Sequence, residues 1–64
     1  MMEPADLVDR LAAVDHELSR TEALRALAQT DGDDAEVQRL QQEIDELRRV
    51  KAELRDQLRL RGGN

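Results

Sequence analysis

Apolar residues return along this chain in alternating steps of three and four. In the second half, positions 37, 40, 44, 47, 51, 54, 58 and 61 are Val, Leu, Ile, Leu, Lys, Leu, Leu and Arg, a repeat kept without a skip. In the first half, positions 7, 11, 14, 18, 21, 25 and 28 are Leu, Leu, Val, Leu, Thr, Arg and Ala, a stripe that starts strongly and weakens towards residue 30. A repeat averaging about 3.5 residues keeps each set on one face of an α-helix, as in a coiled-coil seam.

The residues between the stripes mark their ends. Pro4 suits the first turn of a helix, where its missing N–H costs nothing, and Glu3 and Asp6 face the positive end of the helix dipole. No Gly or Pro follows until Gly32, in Thr30-Asp31-Gly32-Asp33, which reads as a stop and a restart. Asp33 is then placed to cap the second helix, with Glu36 three residues on in capping-box position. Arginines from Arg55 to Arg61 suit the negative end of that helix, and Gly62-Gly63 stops it. The pattern predicts one domain: helix over about 4–29, turn over 30–33, helix over 34–61 and a flexible tail over 62–64.

Folding one stripe onto the other about the turn pairs residues whose numbers add to about 65. Leu7 then meets Leu58, Leu11 meets Leu54, Val14 meets Lys51, Leu18 meets Leu47, Thr21 meets Ile44, Arg25 meets Leu40 and Ala28 meets Val37. A turn one residue longer or shorter would set stripe against flank, so the match predicts an all-α antiparallel two-helix hairpin. Among flanking charges, Asp15 is expected near Arg48, Asp6 near Arg59, and Arg10 near its like-charged Arg55. Such surface pairs contribute only about 0.2–1 kcal/mol each.

Composition changes this picture in one respect, the size of the core. The chain has 64 residues and no Phe, Tyr, Trp or Cys, so its core is Leu, Val and Ile with no disulfide to reinforce it. A core this small rarely supplies more than about 3–5 kcal/mol. Self-association is therefore expected, most simply as a homodimer forming a four-helix bundle. Val8, Leu24, Leu27 and Val50, apolar yet off the stripes, are the candidates for that contact and for a further protein partner.

Charge narrows the partners. The net charge of -5 repels phosphate and there are no rings to stack bases, which argues against nucleic acid. No apolar run approaches the roughly 18–20 residues of a membrane span, and the start lacks a secretion-signal pattern, so a cytoplasmic location is expected. The basic residues Arg48, Arg49, Lys51, Arg55, Arg59 and Arg61 are interspersed with Glu53 and Asp56, as charge matching within a hairpin requires.

Little suggests chemistry. His16 is the single histidine, on the side of its helix away from the stripe, with no second His or Cys to share a metal. Asp31, Asp33, Asp34 and Glu36 crowd the turn, but Gln42 stands where a calcium loop needs its closing acid. Lys51 and Arg25 on the stripes read as devices that set register, their stems lying along apolar surface. No catalytic residue, cofactor, metal site or small-molecule substrate is expected, and the chain does not read as an enzyme.

Two strings resemble known families. The tail Leu58-Arg59-Leu60-Arg61-Gly62-Gly63, followed by Asn64, resembles the conjugating tail of ubiquitin, and the short acidic helical chain resembles prokaryotic ubiquitin-like protein. That resemblance implies an alternative role as a protein modifier or degradation tag acting through Gly62, Gly63 and Asn64. Val14-Asp15-His16-Glu17-Leu18 and the segment Leu47 to Leu58 are similar to the two ends of the small bacterial YdcH-like helical hairpins. The second resemblance implies a short hairpin with no assigned chemistry. The leading expectation is a non-enzymatic interaction module, a self-associating hairpin that serves as adaptor or accessory subunit.

Overall fold

The structure, a computed structural model, describes residues 4–62 and consists of two α-helices. Helix α1 spans Pro4–Asp31 and helix α2 spans Asp34–Gly62. They pack against each other along their length in a rod of 48 × 17 × 14 Å. Among the described residues neither helix is long and apolar enough to cross a membrane.

Only Gly32 and Asp33 separate the helices, so α1 runs two residues beyond its expected end at 29. The reason lies in the hydrogen bonds of the stop. Gly32 has φ 75°, the left-handed conformation that glycine takes at no steric cost. Its N–H donates to the Gln29 carbonyl at 3.1 Å, and the Asp33 N–H donates to the Ala28 carbonyl at 3.0 Å. That pair of bonds is a Schellman motif, in which glycine directly follows the last helical residue, here Asp31. Thr30 also stays helical, its hydroxyl donating to the Ala26 carbonyl at 3.0 Å.

The restart uses the same Asp33. Its carbonyl accepts the first bond of α2 from the Val37 N–H at 3.0 Å, and its side-chain Oδ1 accepts the Glu36 N–H at 3.2 Å. Only half of the expected capping box forms. The Asp33 N–H is already committed to Ala28, and the Glu36 carboxylate instead takes two hydrogen bonds from Arg39, at 2.8 and 2.6 Å. One residue thus ends the first helix and caps the second, which makes a two-residue connection sufficient.

Every described residue of the two stripes is buried or half-buried. Leu7, Leu18, Thr21, Ala28, Leu40, Ile44 and Leu54 form the buried set. Thr21 is tolerated there because its hydroxyl donates to the Glu17 carbonyl at 2.8 Å, leaving no orphaned polar group. Arg25 is less well served. It donates through one terminal nitrogen to Gln41 Oε1, while its Nε is buried with no partner. Leu11, Val14, Val37, Leu47, Lys51 and Leu58 are only half-buried, because one facing helix covers one side of each.

Cross-helix polar contacts agree with the paired stripes to within about a helical turn, but the partners differ from those expected. Asp15 pairs with Lys51 at 2.6 Å and Arg48 with Glu22 at 3.3 Å, in place of an Asp15–Arg48 pair. Arg59 pairs within its own helix, with Asp56 at 3.3 Å, and not with Asp6. Lys51 sits on the stripe, so its flexible stem carries the ammonium outward to the Asp15 carboxylate. That leaves Arg48 to reach Glu22. A residue three places away on the same helix is always within range, which explains Asp56 for Arg59.

Candidate functional site

The ion pairs identify the two sides of the hairpin. Glu22 follows the stripe residue Thr21, and Arg48 follows the stripe residue Leu47. Their contact places the following flanks of both helices on one side, here the salt-bridge side, and the preceding flanks on the other. The Asp15–Lys51 and Arg25–Gln41 contacts fall on the same salt-bridge side, since Asp15 and Gln41 also follow stripe residues.

The four candidate interaction residues divide between these sides. Leu24 and Leu27 precede Arg25 and Ala28, so they lie on the opposite side, near the turn, and are 44% and 63% exposed. Val50 precedes Lys51 and shares that side farther along, half-buried. Val8 follows Leu7, which puts it on the salt-bridge side at the open end, 53% exposed. Leu60, at 81% exposure, is a further large apolar group on the surface of α2. Its place within the alternating Arg-Leu tail gives it no stripe or flank signal in the sequence.

Towards the open end the structure has a groove of about 500 Å3, lined by Leu11, Ala52, Arg55, Asp56, Leu58 and Arg59. Leu11 and Leu58 are stripe residues that the facing helix covers only in part, and their free sides form its floor. Lys51 turns outward to Asp15, and the neighbouring Ala52 is too small to fill the space. The stripe places both leucines between the helices but does not show that their free sides meet in one groove. The available signal was Ala52 next to Lys51, two consecutive positions with no bulky apolar group.

Charge is unevenly placed along the rod. The turn exposes Asp31, Asp33 and Asp34, while the groove at the other end has Arg55 on its rim together with the paired Arg59 and Asp56. The turn acids suit the N-terminus of α2 beside them, where the helix dipole is positive. No basic residue lies in the last turn of α1, so the end of that helix relies on the glycine motif alone. Arg39 holds the Glu36 carboxyl below its ordinary value, first through their hydrogen bonds and then through its charge, and the same contact raises the Arg39 guanidinium. Arg49 is raised likewise by its hydrogen bonds to Glu46.

His16 is exposed on α1. Among the described residues no group of three or more His, Cys, Asp or Glu is arranged to hold a metal ion, the turn acids included. Gly62 is the last residue of α2, inside the segment expected as tail, and Gly63 and Asn64 lie outside the described residues.

The class defined by this fold is a two-helix hairpin with apolar surface on both sides. Comparison with protein-family models, curated proteins and solved structures finds no match for the chain. The functional reading therefore rests on the hairpin's own surfaces.

Proposed function

We propose that the protein is a non-enzymatic interaction module, a hairpin that associates with further copies of itself and serves as adaptor or accessory subunit for a larger protein partner. One observation carries this reading: Val8, Leu24 and Leu27 stand on the surface while Leu11, Leu47 and Leu58 of the stripes are only half covered. Two helices have no further layer with which to cover that surface, and a second hairpin laid alongside provides one. Four helices then pack side by side at each contact, the arrangement in which amphipathic hairpins bury most apolar area. Burial outside the chain matters here because a core of this size contributes little margin by itself. The location that suits such a module is the cytoplasm, with a protein partner and neither nucleic acid nor membrane.

The test is melting followed by circular dichroism over a range of concentrations. Association raises the melting temperature as concentration increases. Replacing Leu47 by Asp is expected to abolish folding and association together, because it places a charge on the seam. Leu27→Asp is expected to keep the helix content and weaken association only, since Leu27 faces solvent within the hairpin. A melting temperature identical from micromolar to millimolar protein overturns the proposal.

A further inference from the structure

The arrangement of apolar surface restricts how copies can meet. Leu24 and Leu27 lie within eight residues of Gly32, whereas Leu11 and Leu58 in the groove lie more than twenty residues from it. At 1.5 Å per helical residue the two patches are separated by roughly 25 Å along the rod. They also face opposite sides, as the ion pairs establish. A two-fold pair buries the same side of both copies, so it covers one patch of each and leaves the other in water.

The patches are nonetheless complementary to each other. Leu24 and Leu27 project from the turn end, and Asp31 follows Leu27 by one helical turn on the same face. The groove offers an apolar floor of Leu11 and Leu58; of its charged lining, Asp56 and Arg59 pair with each other, which leaves Arg55 at its edge. Arg55 makes no salt bridge among the described residues, and neither does Asp31. A leucine pair with an acid beside it matches an apolar groove with a free guanidinium beside it, and both halves of the match are present on every copy.

We infer that copies of this chain join head to tail, the Leu24–Leu27 face of one seating in the open-end groove of the next. This inference rests on the self-association reading and specifies its contact. Such a contact is heterologous: it uses two different surfaces, so each added copy leaves one turn face and one groove unfilled for the next. The occupant of the groove is a second copy, and the acidic turn sets the direction in which it enters.

The test uses the full chain in sedimentation velocity over a range of concentrations, with circular dichroism to check helix content. The wild type is expected to pass beyond two copies as concentration rises. Leu27→Asp removes the turn face, and the double variant Ala52→Glu, Arg55→Glu fills the groove with acid; each alone is expected to weaken association at least tenfold with helix content retained. Mixed one to one, the two variants still hold one intact turn face and one intact groove between them. The mixture is expected to form pairs that grow no further. A wild type that stops at two copies, with no gain on mixing, overturns the head-to-tail contact and leaves self-association standing. Variants that associate as the wild type does overturn it equally. A wild type monomeric at every concentration overturns the self-association reading itself.

Discussion

The half of the hairpin next to the turn and the half that is open bury their seams with different residues. Near the turn, α1 contributes Thr21, Arg25 and Ala28, a poor stripe by composition, yet Thr21, Ala28, Leu40 and Ile44 are all buried. At the open end the stripes are richer, and Leu7 and Leu54 are buried, yet Leu11 and Leu58 stay half-covered and form the floor of a groove. Side-chain size does not by itself determine burial here. A two-residue connection keeps the helices close, so small residues suffice to fill the space between them. Farther out, coverage depends on each facing side chain, and the pair Lys51-Ala52 leaves a gap.

The contrast is most easily broken in the core. Ile44→Ala should cost about 2–5 kcal/mol, the range for truncating a fully buried aliphatic side chain. Leu58→Ala should cost less than half as much, because Leu58 keeps part of its surface in water. Urea unfolding monitored by circular dichroism compares them, and equal losses would show the open end to be as tightly packed as the turn.

The turn itself is the next test. Gly32→Ala should cost about 1–2 kcal/mol, the penalty for an L side chain in the left-handed region. An added Cβ meets nothing within 4 Å, so backbone conformation alone produces the loss. Gly32→Asn should therefore recover part of it, and an Asn variant no better than Ala would point to another cause.

A third change should stabilise. Arg25→Leu removes the buried Nε that has no partner and extends the apolar stripe, for a gain of about 1 kcal/mol in thermal unfolding. A loss would mean that the Gln41 contact is worth more than the orphaned donor costs. Smaller still is Asp15→Asn, which breaks the pair with Lys51 and should cost about 0.2–1 kcal/mol, falling towards zero at high salt.

The smallest effect is on acid titration. Because Arg39 lowers the Glu36 carboxyl in the folded state, that group stabilises the fold above its ordinary value of 4.5, and the contribution is lost as the pH falls through the lowered value. Both side chains are in solvent, so the effect is slight. Glu36→Gln should remove this portion of the acid dependence and leave the remainder unchanged, as measured by melting temperature against pH.

Much of the fold was legible because the signals were periodic and local. The stripe positions from Leu7 to Leu58 all turned out buried or half-buried, since a seven-residue repeat can keep only one face against a neighbour. Gly32 and Asp33 announced the turn through their own backbone and side-chain chemistry. The helix end was read two residues short because the Schellman bonds, not the polar run Thr30-Asp31, set it. The ion pairs were misassigned for a different reason: long side chains choose among several carboxylates within reach, and a helical repeat does not rank them. Of the candidate surface, Val8, Leu24, Leu27 and Val50 were recognisable as apolar residues off the stripe, but the groove floored by Leu11 and Leu58 was not.

The two helices, their stop and restart and the faces they bury follow from periodicity or from a cap within a few residues, and so were readable along the chain. Which charges meet, which leucines remain half open and on which side of the hairpin each apolar patch lies emerge only when the helices pack. Those properties depend on the rotation of one helix against the other and on the space between particular side chains. A repeat along a single chain specifies neither.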